Sequence, residues 1–197
     1  MRKRDRLSRR SIRLRDFDYS QTGAYFVTLC AWNKECLFGD VVDNEMRLND
    51  FGRIVVREWS RTHEIRKEIA LDEFCVMPNH IHGIISIVGA NGCSPEICSP
   101  GTPRVQHIVG ANGCLSEPSG RSAESPLRMK SKSVSSFIAG YKSSVTKQIN
   151  EIRHTPGTPV WQRNYYERVI RNEDELCRIR QYIRNNPLKW KSDNEYP

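Results

Sequence analysis

The stretch "IALDEFCVMPNHIHGIISIV", residues 69–88, decides the fold. It holds two apolar runs, 69–77 and 80–88, joined at Pro78-Asn79, a pair of residues suited to a tight connection. The expectation is a hairpin of two neighbouring antiparallel strands. Its second run opens with His80 and His82. A strand alternates its side chains, so these imidazoles share one face while Ile81 points to the other. Two readings stand at this point. They are satisfied polar residues at the rim of a core, or a pair of ligands for one divalent cation.

Outward from the hairpin, "GAYFVTLCAW" (23–32) is rich in β-branched and aromatic residues after a glycine, and reads as a strand. "LNDFGRIVVREWSRTHEI" (48–65) reads as a helix capped by Asn49 or Asp50, with Ile54, Val55 and Trp59 as its buried stripe. "KSVSSFIAGYKSSVTKQINEIR" (132–153) places Val134, Phe137, Ile138, Tyr141, Val145 and Ile149 at helical spacing, with Lys142 and Lys147 on or near the wet face. "VWQRNYYERVI" (160–170) reads as a fourth strand. "NEDELCRIRQYIRNN" (172–186) reads as a last helix, capped by Asn172, with acids in its first turn and an end before Pro187. The sum is an α+β chain: a ferredoxin-like βαββαβ antiparallel sheet with helices packed on one face, plus a C-terminal helix carrying Tyr182.

Between hairpin and second helix the pattern stops. Residues 89–126 are rich in Gly, Pro, Ser and Asn, and "IVGANGC" occurs at 87–93 and again at 108–114. Two copies are too few for a stacked repeat, so a flexible insert grown by duplication is expected. Cys93, Cys98, His107 and Cys114 match no familiar zinc-ligand spacing. The organisation expected is a basic arm (1–18), a single domain (19–190) interrupted by the insert (89–126), and a short tail (191–197).

The net charge is +8, and Arg2, Lys3, Arg4, Arg6, Arg9, Arg10, Arg13 and Arg15 crowd the arm. Such a block suits phosphate neutralisation or is a solvated tail. Mean hydropathy is −0.63, and no apolar stretch approaches the roughly 20 residues of a membrane span, so no membrane partner is expected. The arm lacks the apolar segment of a signal peptide. Seven scattered cysteines without paired CxxC motifs fit a reducing compartment, and a cytoplasmic, nucleoid-associated location is the expectation.

In "QYIRNNP", Tyr182 and Asn186 are four residues apart, which on a continuous helix stacks them on one face. There a phenol can act as nucleophile and a carboxamide oxygen can approach a metal-bound phosphate. Equally, Tyr182 can be a packed aromatic and Asn186 a helix-ending residue beside proline. Tyr141, with Val145 four residues on, and the strand tyrosines Tyr165 and Tyr166 are weaker nucleophile candidates.

Taken together, "MPNHIHGII" and the distant "VWQRNYYERVIRNEDELCRIRQYIRNNPLKW" resemble the single-tyrosine HUH transposases of the IS200/IS605 type, and among them the REP-associated tyrosine transposases. The likeness spans roughly residues 10–88 and 127–190. It implies that His80 and His82 bind Mg²⁺ or Mn²⁺ with Asn186 as third ligand, and that Tyr182 is the nucleophile. It further implies cleavage of single-stranded DNA beside an imperfect hairpin, leaving a 5′-phosphotyrosine link and a free 3′-OH. A tyrosine pKa of about 10 makes the phenol a weak nucleophile near neutral pH, so a cation that polarises the phosphate is chemically sensible. The phosphotyrosine keeps the bond energy, so a 3′-OH can reverse the attack without ATP.

Candidates for DNA contact, by charge or ring, are Arg9, Arg10, Arg13, Lys142, Arg163, Tyr166 and Arg184, with Lys147, Arg168 and Lys189 behind them, and Trp32 and Trp161 as possible stacking rings. The expected partner is single-stranded DNA with an imperfect hairpin, bound by a monomer or homodimer. The alternative is a catalytically silent DNA- or RNA-hairpin-binding protein of the same fold. A zinc hydrolase is disfavoured because no acidic ligand or base accompanies the histidines.

Overall fold

The computed structural model describes residues 18–88 and 132–192. Arg9, Arg10 and Arg13, the repeat-bearing insert with Cys93, Cys98, His107 and Cys114, and most of the tail lie outside the described residues. The elements run β1 (Gly23–Cys30), β2 (Gly39–Val42), β3 (Glu45–Leu48), α1 (Asp50–Ile65), β4 (Ile69–Val76), β5 (His80–Ile87), α2 (Val134–Arg153), β6 (Tyr166–Ile170), α3 (Glu173–Arg184) and a closing 3₁₀ turn, Pro187–Ser192.

Four strands form one antiparallel sheet in the order β4-β5-β1-β6. With α1 and α2 as the crossovers, this is the ferredoxin-like arrangement, and β4 and β5 form the expected hairpin around Pro78-Asn79. Asn49 is the cap of α1, its side chain accepting from the Gly52 amide at 3.0 Å. Asn172 caps α3 by accepting from the Glu175 amide at 2.8 Å, while the Glu175 carboxylate accepts from the Arg171 amide at 3.0 Å. The reciprocal pair fixes where α3 starts.

Three features depart from the sequence reading. The expected strand 160–170 is ordered as β6 only from Tyr166; upstream of it, Trp161 makes a lone bridge to Ala31. The carbonyls of Gln162 and Asn164 are taken instead by the Lys142 ammonium, at 2.8 and 3.1 Å. Residues 39–48 form an unforeseen hairpin, β2–β3, whose connecting Asp43 and Asn44 both have left-handed φ, 54° and 64°. Consecutive positive φ values suit a two-residue connection that matches strand twist. Finally, the helices do not share one face.

α1 and α2 cover one side of the sheet, where Tyr25, Val27, Leu29, Ile81 and Ile85 pack against Val55, Trp59, Phe137, Ile138 and Val145. Gly83 sits directly beneath Trp59: a Cβ there would lie 2.5 Å from the indole ring. α3 covers the opposite side, packing Leu176 and Ile183 on Phe26, Ile84 and Ile170. The physical reason is that all eight residues of β5 are buried, so the strand needs cover on both faces.

Candidate nucleic-acid processing site

The side of the sheet under α3 carries the polar residues. His80 and His82 project from β5 onto it, as the alternation requires, and the register places Cys30 opposite His80 and Thr28 opposite His82 on β1, with Tyr166 opposite Thr28 on β6. Both imidazoles are buried. Their Nε2 atoms converge to 3.0 Å, while their Nδ1 atoms point away, His80 to Asn79 Oδ1 at 2.8 Å and His82 to Thr28 Oγ1 at 2.9 Å. Burial first, and the neighbouring His80 second, push His82 well below the ordinary histidine value, so it is neutral and keeps a lone pair at pH 7.

Tyr182 comes to this pair from the same chain. Its Oη lies 3.3 Å from Nε2 of His82 across a sequence distance of 100 residues, and the side chain is 43% exposed. Phe26, at the centre of this face, organises the group. Its ring stacks on His82 at 5.4 Å and meets Tyr182 and Tyr166 edge-on at 6.1 and 6.2 Å. Trp190 of the closing 3₁₀ turn stands 6.0 Å from the His80 ring and is itself buried.

α3 stops at Arg184, with Asn185 as its cap, two residues short of the expected end. Asn186 lies just past the end of α3. It sits in the turn before Pro187, buried, its amide donating to the Ile183 carbonyl at 3.2 Å and its carbonyl accepting from Lys189 at 3.0 Å. Proline has no amide to continue the helical ladder, and the residues before it turn out of the helix.

The donor set suits a divalent cation. Two cis nitrogen ligands at about 2.1 Å from one ion stand about 3 Å apart, which is the spacing of the two Nε2 atoms. Each imidazole is held through its other nitrogen, as metal-binding histidines are. Among the described residues no cluster of three or more His, Cys, Asp or Glu is placed to hold a metal. Further ligands would therefore be a carboxamide, water or a group of a bound molecule.

α3 is held over the site by charge as well as by apolar contact. A register shift between Leu71 and Phe74 interrupts β4, and there Asp72 receives both Nε and Nη2 of Arg180, the closest contact 2.6 Å. Next to it Glu73 pairs with Arg184. On the other flank Arg168 pairs with Glu175.

No family model matches the chain. An uncharacterized protein of Haemophilus influenzae is 36% identical over 188 residues, covering 95% of this chain and 93% of that one. The chain belongs to the family of that protein. Among solved structures, a REP-associated tyrosine transposase bound to a REP hairpin superimposes with a TM-score of 0.50 at 15% identity, over 88% of this chain and 71% of the other. At that identity the likeness is one of fold: this chain and that structure share the ferredoxin-like architecture.

Other candidate residues divide. Arg163 and Tyr166 are exposed, Tyr166 beside the aromatic group just described. Arg184 is exposed but engaged with Glu73. Lys142 is not on the wet face; its half-buried ammonium serves two carbonyls, and burial pulls its pKa down to about 8. Trp161 is buried against Phe38 at 5.1 Å, which removes it as a stacking ring, whereas Trp32 is exposed. Tyr141 is buried, its hydroxyl donating to the Val55 carbonyl at 3.0 Å. Cys177 is exposed; the Cys75 thiol is pushed up to about 12 by burial. Among the described residues no helix is long and apolar enough to cross a membrane.

The sequence reading passed over Phe26 and Thr28. "GAYFVTLC" is apolar nearly throughout, so its period does not tell which residues face the histidines. Only the register with β5 does.

Proposed function

We propose that this protein is a metal-dependent tyrosine transposase-like enzyme that nicks and joins single-stranded DNA beside hairpin-forming repeats, with Tyr182 as nucleophile. The observation that carries the reading is the approach of an exposed phenol, 3.3 Å from His82, to two neutral-capable imidazoles whose Nε2 atoms converge. In this reading His80, His82 and Asn186 hold Mg²⁺ or Mn²⁺. A cation there would supply positive charge at the scissile phosphate. Tyr182 Oη bonds to phosphorus and the bond from phosphorus to the departing 3′ oxygen breaks. The phenolic proton is released and the 3′ oxygen takes one up, leaving a 5′-phosphotyrosine and a 3′-OH. Reversal by another strand's 3′-OH rejoins DNA.

Phe26 and the helix α3 set the angle of the phenol, and exposure of Tyr182 lets a strand reach it. Tyr141 is a poor rival because its hydroxyl is buried and raised well above the ordinary tyrosine value, by burial first and Glu58 second. The exposed rings of Tyr166 and Trp32 would stack on bases, and the basic arm and Arg163 would neutralise phosphates. In this reading the protein works on DNA in the cytoplasm, associated with the nucleoid.

The test incubates the protein with Mn²⁺ and a panel of labelled hairpin-flanked single strands, then resolves covalent adducts on a denaturing gel. Wild type is expected to give an adduct and Tyr182→Phe none, with unchanged thermal stability. No adduct from wild type on any strand, or an equal amount from Tyr182→Phe, overturns the reading.

A further inference from the structure

Asn79 holds two partners in opposite senses. Its Nδ2 donates to the Lys34 carbonyl at 3.2 Å, and its Oδ1 stands 2.8 Å from Nδ1 of His80. A backbone carbonyl can only accept, so the NH₂ end must face Lys34 and the oxygen must face His80. The amide oxygen can only accept as well, so the shared proton belongs to Nδ1 of the imidazole. In the neutral ring that leaves a lone pair on Nε2, aimed at Nε2 of His82, 3.0 Å away. The arrangement is rigid: Asn79 is buried, and its carbonyl accepts from the Ala31 amide at 2.7 Å, tying the hairpin turn to the end of β1.

Thr28 treats His82 differently. A hydroxyl both donates and accepts, so its 2.9 Å contact with Nδ1 of His82 is compatible with either tautomer. Without a cation, two lone pairs facing each other at 3.0 Å repel, and His82 relieves this by carrying its proton on Nε2 and donating to His80. With a cation between them, the proton belongs on Nδ1, donated to Thr28 Oγ1.

We propose that Asn79 is a positioning residue that locks His80 in the Nδ1-protonated tautomer, while Thr28 lets His82 change tautomer. One ligand is thus always ready, and the second becomes ready on binding. The inference rests on the reading of His80 and His82 as ligands of a divalent cation. It also gives the asparagine before the paired histidines a role beyond the turn.

The tautomers are read in the metal-free full chain by long-range ¹H–¹⁵N NMR, and affinity by Mn²⁺ titration followed by EPR. Wild type is expected to show His80 protonated on Nδ1 and His82 on Nε2, with His82 moving to Nδ1 in a titration with diamagnetic Mg²⁺. Asn79→Leu should give mixed His80 tautomers and Mn²⁺ binding weaker by about 10–100-fold. Asn79→Asp keeps an acceptor in the same place and should retain both the tautomer and most of the affinity. An Nε2-protonated His80 in wild type overturns the proposal. So does a folded Asn79→Leu with wild-type affinity, or, should that variant not fold, an Asn79→Asp that loses the Nδ1 tautomer. Wild type that binds no Mn²⁺ overturns the cation reading and this inference with it. Wild type that binds while Asn79→Leu is unimpaired overturns this inference alone.

Discussion

The two faces of the sheet are built from the same strands and do opposite things. Under α1 and α2 the face is apolar and interlocked: the Trp59 ring lies 4.4 Å from Phe74 and meets Phe137 and Tyr141 edge-on, each at 5.5 Å. Under α3 the apolar patch is small, and beside it lie His80, His82, Thr28, Tyr166 and Tyr182. Each buried side chain of the first face is worth about 1.5–3 kcal/mol of transfer free energy, so that face supplies most of the stability. The second face can then carry polar groups whose burial contributes little, provided they are hydrogen-bonded. One side stabilises the sheet, and the other uses the rigidity.

Gly83→Ala breaks the comparison hardest in stability. The added methyl would meet the Trp59 ring at 2.5 Å, and that ring is itself stacked on Phe74, so it cannot move freely. A loss of about 1–3 kcal/mol is expected in urea unfolding, although the glycine is next to His82. If stability is unchanged while Mn²⁺ binding fails, the division between the faces is wrong.

Arg180→Gln tests the other face. It removes a bidentate contact with Asp72 that is partly buried, and the cost in global stability should be about 1 kcal/mol. Adduct formation by Tyr182 should fall more than this implies, because α3 is then held by a few apolar contacts and two more exposed ion pairs. Raising salt should weaken adduct formation by wild type in the same direction. A variant that melts lower yet forms adduct at the wild-type rate would show that α3 needs no electrostatic clamp.

The smallest effect is with acid, and it separates two carboxylates. On the α1–α2 face, burial pushes Glu58 up, but hydrogen bonds from Gln148 and Ser144 and the charge of Arg61 outweigh it, and the group titrates below the ordinary value. On the α3 face the Arg171 amide, opposed in part by burial and helped by Arg168, lowers Glu175 likewise. With folded values depressed, the unfolded chain takes up these protons first. Their stabilisation is whole above the ordinary carboxylate value of 4.5 and is lost as pH falls through the folded values. Melting curves from pH 7 to 3 should therefore show wild type approaching Glu58→Gln and Glu175→Gln as pH drops. A gap that stays constant with pH would contradict the assignment.

Much of this was legible in advance where the signal is local. The shared face of His80 and His82 follows from the two-residue period of a strand, and the caps Asn49 and Asn172 follow from side chains that accept from amides three residues on. α3 ends two residues earlier than its sequence pattern suggests, because the residues before Pro187 turn out of the helix. The Asp43-Asn44 hairpin was missed because its turn lacks glycine.

The sequence by itself determined the order of elements apart from the β2–β3 hairpin, the common face of the two histidines, and the tyrosine and asparagine available to join them, because each is encoded within a few neighbouring residues. Tertiary structure alone decided that α3 lies on the histidines' side, that Phe26 and Thr28 meet His82, and that Tyr182 reaches it. These contacts span 54 residues between Thr28 and His82 and 100 between His82 and Tyr182. β1 is apolar on both faces, so its own pattern is indifferent to which face meets the site. The register with β5 and the pairing of Asp72 on β4 with Arg180 on α3 make that choice.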